Sequence, residues 1–363
     1  KPALTYVSIA SDNADTTKAK VGDEVTLSFN ADENIENVIA KINGKSTIVT
    51  NPSGFNWKAR YTMSGTDIAG LRTFTIDFKD YAGNIGTQVI ATTAPATSVT
   101  FDKTNPILTS VTIASNNANP AQAGTGDTIT VSFTANEAIM NVSATISGNP
   151  ADTLMNTGAN NWVAKYKMTI DDPEGIIPFT INFEDITGNP GTQVSTKTSG
   201  NNVIYDKIDP ALSNILISSN NPDPSKAKTG NQISVTFISS EAIQNVVVLI
   251  EDSVASVSNS GNNWTATYIL TGGEPQGIID FTINYEDIFG NNGTEESVTS
   301  NGSKVTIDNT LPTLSDVFLS SNNTDTTRAK VGDIVTLSFT SSEGLKGVSA
   351  TIGTQTAAVS ADP

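Results

Sequence analysis

The feature that most limits what this chain can become is its own repetition. "AKVGDEVTLSF" at Ala19–Phe29 returns as "AGTGDTITVSF" at Ala123–Phe133, "AKTGNQISVTF" at Ala227–Phe237 and "AKVGDIVTLSF" at Ala329–Phe339. Gly22, Gly126 and Gly230 stand 104 residues apart, and Gly332 follows 102 later. A period that long is a whole domain, far beyond a solenoid turn. The 363 residues are therefore expected to bury several separate cores, with units at 1–105, 106–209 and 210–311 and a partial unit at 312–363. The joints read "FDKTNP" at Phe101–Pro106, "YDKIDP" at Tyr205–Pro210 and "IDNTLP" at Ile307–Pro312. They are too short to be loose tethers, and proline stiffens each one.

Inside the first unit Val25, Leu27 and Phe29 alternate with polar neighbours, as do Val38–Ala40–Ile42, Trp57–Ala59–Tyr61–Met63 and Phe74–Ile76–Phe78. A period of two is the mark of half-buried strands. Leu4–Ala10, a short strand near Thr47–Val49 and a last one through Val99–Phe101 bring the number to about seven in about 100 residues, with no competing helical period. The expected fold is all-β: tandem immunoglobulin-like β-sandwiches strung as beads into a rod. Each full unit has one tryptophan, Trp57, Trp162 or Trp264. In phase with apolar neighbours, these read as core residues and not as sugar-stacking platforms.

Composition closes off most chemistry. The chain has no cysteine and no histidine, which removes thiol nucleophiles, thiolate zinc sites and imidazole bases. No nucleophile elbow or phosphate loop stands out, and every polar feature recurs from unit to unit, so an enzyme is not expected. With 37 acidic against 20 basic residues the net charge is −17. Nucleic acid and anionic membrane surfaces are disfavoured as partners, and cations are favoured. No run of 18 apolar residues is present to insert in a membrane.

One acidic turn is written three times: "DFKDYAGNIG" at Asp77–Gly86, "NFEDITGNPG" at Asn182–Gly191 and "NYEDIFGNNG" at Asn284–Gly293. Taken alone, Asp80, Asp185 and Asp287 accept hydrogen bonds from the turn that follows, and Gly83, Gly188 and Gly290 supply a positive φ. Tracing strand directions through a sandwich places this turn beside the loop between the second and third long strands, next to the incoming linker. Asp102, Glu137 and Asp185 are then expected to converge at one joint and Asp206, Glu241 and Asp287 at the next, with Asp308 and Glu343 as a partial third set. Clustered carboxylates repel unless a cation or protons neutralise them. Calcium, which takes six to eight oxygen ligands in adaptable geometry, suits this donor set without histidine. Lys18 and Lys20 read as loop residues, which argues against a buried Lys–Asn or Lys–Asp crosslink.

The set "SNNA", "AKxGDxVTLSFxAxExI", "NWxAxYxM", "FTIDFxDxxGNxGT" and "FDKTxP" resembles the tandem bacterial Ig-like repeats of large surface proteins, of the adhesin-stalk and S-layer-associated type. The resemblance covers three units and half of a fourth. It implies a structural spacer or assembly region at a bacterial cell surface or outside the cell, partnered by neighbouring repeats or copies of itself. The Thr-, Ser-, Asn-, Asp- and Gly-rich composition fits such an exported protein. Two alternatives stand beside it: a module binding glycan or protein, and the accessory region of a secreted enzyme. The opening Lys1-Pro2 matches the end of a linker, and the fourth unit stops at Pro363 before a Trp strand or acidic turn. The sequence is accordingly expected to be an excerpt of a longer chain, the alternative being that another molecule completes that unit.

Overall fold

A computed structural model describes residues 1–361. Among them the regular structure is all strand and turn. The first ten strands are β1 Leu4–Ser11, β2 Lys18–Ala19, β3 Glu24–Ala31, β4 Ile35–Ile42, β5 Lys45–Ser46, β6 Ile48–Ser53, β7 Asn56–Thr62, β8 Gly70–Leu71, β9 Phe74–Asp80 and β10 Thr100–Phe101. They form sheets ordered β1-β3-β7-β6, β5-β4-β9 and β2-β10-β8. Along β3 and β9 every second residue is buried. Val25, Leu27 and Phe29 of β3 meet Ala40 and Ile42 of β4, Ile76 and Phe78 of β9 and Phe101 of β10 in one core. That is a sandwich, its layers closed by side chains alternating inward.

The same sheet orders recur twice. A second core runs from Val111 to Tyr205 and a third from Ile215 to Ile307. By contact density the chain divides into two compact units: Lys1–Asp209 with Ile288–Asn291, and Pro210–Asp287 with the residues from Asn292 onward. The first holds the first two cores. The second holds the third core and, beyond it, Leu314–Ser321 paired with Val335–Ser341. There Val317 and Leu319 are 57% and 63% exposed, whereas their counterparts Val7 and Ile9 are 1% and 2% exposed.

The last strand, expected through Val99–Phe101, is β10. The limb that leads to it from the acidic turn is irregular: it bridges β9 at Lys79–Ile85 and Ile76–Val89, and Thr93 N then donates to Val7 O on β1. Two expectations are corrected. The tryptophans are half-buried rather than core: they stack almost parallel on Phe29, Phe133 and Phe237, with ring centroids 6.5, 6.4 and 6.2 Å apart. Each is the cross-strand neighbour of its phenylalanine, so it shares that face of the sheet and packs against the core while staying partly exposed. Lys18 lies in β2, which pairs in parallel with β10.

Candidate metal centre

The site in the first unit is built from a strand end, a loop and a linker. Asp185 closes the strand Phe179–Asp185, whose register sets Ile139 opposite Asp185. Glu137 stands two residues before Ile139, so antiparallel pairing alone carries it to the strand's end. Asp102 follows β10, and its backbone N donates to Ala19 O at 2.9 Å. The linker beyond is fastened on both sides. Lys103 Nζ donates to Gly65 O and Asp67 O at 3.0 and 2.8 Å, Thr104 N to Asp102 Oδ1 at 2.9 Å, and Ile107 N to Asn136 Oδ1 at 2.8 Å. One carboxylate oxygen from each of Asp102, Glu137 and Asp185 lies within 4.8 Å of the others.

The turn itself is folded around its first aspartate. Asp185 is 0% exposed. Its Oδ1 accepts from Thr187 N and Asn189 N at 2.7 and 2.9 Å, and its Oδ2 accepts from Asn189 Nδ2 at 2.8 Å. The turn closes with Gly188 N donating to Asp185 O at 3.0 Å, and Gly188 holds φ at +89°. Asn189 Nδ2 also reaches Asp102 O at 3.3 Å, tying turn to linker. Two residues on, a Cβ at Gly191 would lie 2.2 Å from Phe183 Cε2, so the Phe183 ring closes over a bare backbone. In the first copy Asn84 makes the same contacts to Asp80. Those contacts hold the Asp80 carboxyl below its ordinary range, against the desolvation that opposes them.

Electrostatics at the three-acid cluster is unfavourable without a partner. Burial pushes Glu137 up, and the negative charges of Asp102 and Asp185 push it the same way. Among the described residues the ion pairs join Lys18 to Asp15, Arg60 to Glu24, Lys79 to Glu36 and Arg328 to Asp325, and none engages this cluster. All the donors are hard oxygens, with no imidazole or thiolate. Such a set fits calcium, with backbone carbonyls or water completing the shell.

Asp206 is half-buried, its N bonded to Ala123 O and its Oδ1 accepting from Ile208 N at 2.9 Å. Glu241 is half-buried, and its carbonyl accepts from Ser239 Oγ at 2.6 Å. Asp287 is 0% exposed, and its carbonyl accepts from Gln244 Nε2 at 3.0 Å. Asp308 is exposed, its Oδ1 accepting from Thr310 N at 3.0 Å. Glu343 is half-buried, its carbonyl accepts from Ser341 Oγ at 2.7 Å, and its Oε1 is buried without a hydrogen-bond partner.

Two residues at this joint escaped the sequence reading. Asn13 Nδ2 donates to Thr187 O at 2.9 Å and Lys20 Nζ to Gly188 O at 2.8 Å, so the loop after β1 reaches the second acidic turn. Strand directions alone bring the loop "SDNADTTKAK", with Asp12 and Asp15, to the end of the sandwich that faces this joint. That Asn13 and Lys20 are the residues that grip the turn, through its backbone carbonyls, was not visible.

No family model matches the chain, and no curated protein matches it. Solved structures similar to it include a 1.5-MDa bacterial ice-binding adhesin at 17% identity, covering 85% of this chain and 98% of that one with a TM-score of 0.46. A Ca2+-stabilized adhesin that helps an Antarctic bacterium bind ice matches at 16% identity over 87% of this chain and 78% of that one, with a TM-score of 0.45. Titin domains I67–I69 match at 9% identity over 85% of this chain and 99% of theirs, with a TM-score of 0.36. What these proteins bind is a property of theirs; for this chain the sheets and cores described above establish a run of immunoglobulin-like sandwiches.

Proposed function

We infer that this chain is a non-enzymatic spacer of a bacterial surface or extracellular protein, a rod of sandwiches at 1–105, 106–209 and 210–311, followed by a partial repeat at 312–363, whose joints calcium stiffens. One observation carries the reading: carboxylate oxygens from a linker, a loop and a turn gather within 4.8 Å, with Asp185 wholly buried. A divalent cation between Asp102, Glu137 and Asp185 would relieve their repulsion and tie linker to sandwich. Because the chain repeats its sequence, Asp206, Glu241 and Asp287 form the equivalent set one period later, and Asp308 and Glu343 a partial third. The unpartnered Glu343 Oε1 supports that extension. The residues' own part is to bind and orient. Asn189 holds Asp185, Asp102 holds the linker, and the carboxylates of Asp102, Glu137 and Asp185 would hold the ion.

Calorimetric titration of chelator-treated protein with calcium, followed by thermal melting and solution scattering, tests this. Binding should raise the melting temperature by linkage and lengthen the particle. Asp102→Ala with Asp185→Ala should abolish the tightest calcium-binding step. Unchanged melting and unchanged hydrodynamic length on adding calcium would refute the metal, and a maximum dimension typical of a compact globule would refute the rod.

A further inference from the structure

Asn13 sits in the loop after β1, and its amide is anchored from its own side of the joint. Asn13 Nδ2 donates to Asp23 Oδ2 at 2.7 Å, and the same oxygen accepts from Lys20 N at 2.8 Å. From that fixed position Asn13 Nδ2 also donates to Thr187 O, while Lys20 Nζ donates to Gly188 O. Thr187 is thereby gripped at both ends, its N–H by Asp185 Oδ1 and its carbonyl by Asn13. We propose that Asn13, Lys20 and Asp23 form a preorganised receptor for the backbone of the acidic turn in the next sandwich, latching the two at a fixed angle.

The receptor is built into each repeat. Asn117 donates to Asp127 at 3.0 Å, Asn221 to Asn231 at 3.2 Å and Asn323 to Asp333 at 2.8 Å, reproducing the Asn13–Asp23 pair. An amide already held by its own loop loses little freedom when a partner carbonyl arrives, which is why preorganisation favours docking. Both contacts to the turn are to backbone oxygens, so the receptor reads the path of the turn and not its side chains. Gly188 suits it twice over: its φ is +89°, and a Cβ there would stand 3.0 Å from Lys20 Nζ. The lysine is the variable part, present as Lys20, Lys228 and Lys330 but replaced by Gly124 in the second repeat.

The latch also deepens the calcium reading and in this part rests on it. An ion at Asp102, Glu137 and Asp185 would fix the turn whose Thr187 and Gly188 carbonyls the receptor grips. Ion binding and docking should then favour one another by the same factor.

The full chain has no cysteine, so Lys58→Cys and Lys165→Cys, at exposed positions of equivalent strands, accept spin labels cleanly. Pulsed electron resonance then reads the distance distribution between the two sandwiches, in chelator and in calcium chloride. In chelator, Asn13→Ala with Lys20→Met should broaden the distribution, the docked fraction falling about tenfold relative to the undocked for two lost hydrogen bonds. Lys20→Met alone should do so partly, and Lys20→Arg should restore it. Lys20 makes no described side-chain hydrogen bond within its own sandwich, so its variant leaves folding intact if the Asn13 variant does not. Calorimetry should find calcium bound several-fold more weakly by the double variant. A distribution in chelator identical to that of the unmutated receptor overturns the latch. Calcium affinity unchanged in the double variant overturns the coupling alone. If the unmutated chain binds no calcium, the metal reading fails while the chelator measurement still decides the latch.

Discussion

Asp185 and Asn189 grip each other twice: Oδ1 of the aspartate accepts the Asn189 backbone N–H, and Oδ2 accepts its side-chain amide. The pair turns the chain and at the same time fixes one carboxylate at the joint. Asp80 and Asn84 repeat the pairing, at 2.8 and 2.7 Å, without being gathered with other acids among the described residues.

The two functions of the turn are therefore separable by mutation. Asp185→Ala removes three hydrogen bonds to a buried carboxylate and should cost about 3 kcal/mol in chemical denaturation, and it should also weaken calcium binding. Asp80→Ala should destabilise the first sandwich and leave the calcium titration unaltered. Equal loss of calcium in both variants would contradict the assignment.

Glu137 sets a pH dependence of definite sign. Its folded carboxyl is pushed up by burial and by Asp102 and Asp185, so the folded chain holds this proton more tightly than the unfolded chain does. In chelator, the penalty from its charge is present above the folded value and is relieved as pH falls through it. Glu137→Gln should raise the melting temperature of calcium-free protein at neutral pH, and the gain should vanish towards pH 4. With calcium present the same variant should be the less stable protein. Melting curves across pH, with and without the ion, check both signs.

Glu274 runs the other way. Burial tends to raise its carboxyl, but hydrogen bonds from Thr271 N, Tyr268 Oη and Gly272 N outweigh it and hold the group at about 2, against an ordinary 4.5. Its stabilisation is complete above the ordinary value and is lost as pH falls towards about 2. Tyr268→Phe should flatten the acid limb of unfolding that amide hydrogen exchange in the Tyr268–Glu274 loop reports.

Gly191→Ala tests the ring that closes over the second turn. With a Cβ 2.2 Å from Phe183 Cε2, the ring or the strand must move, at a cost of about 2 kcal/mol for overpacking. Pairing it with Phe183→Leu should recover part of that loss in urea melts. A full-cost double variant would show that the backbone path at Gly191 matters and the ring does not.

Much of this was legible in the sequence, because the alternation in Val25–Leu27–Phe29 and Phe74–Ile76–Phe78 is imposed by the pleat and survives any detail of packing. The convergence of Asp102, Glu137 and Asp185 was legible for the same reason: strand direction places loop and turn at one end whatever the side chains do. The half-exposure of Trp162 was not, since period two assigns a face and says nothing of how completely neighbouring side chains cover it. The broken limb after Asp185 was not either. Gly191 and Val194 bond to the strand Phe179–Asp185 and Thr198 then bonds to Val111, a pairing with no periodic signature. Lys20 was read correctly as a loop residue, but its use depends on where the following sandwich's turn lies.

The parallel pair of β2 and β10 has a mechanical consequence. Thr100 N donates to Thr17 O and Asp102 N to Ala19 O, so the last strand of the sandwich is bonded to a segment near its first. Tension on the two ends draws those segments past one another along their length, and both bonds are loaded at once in shear instead of being peeled open singly. Ile204 with Ala121 and Asp206 with Ala123 repeat the clasp, as do Thr306 with Ser225 and Asp308 with Ala227. Pulled from its ends, each sandwich beyond its first strand is held by bonds that must break together, and the core strands between the two halves of the clasp are shielded until it gives way.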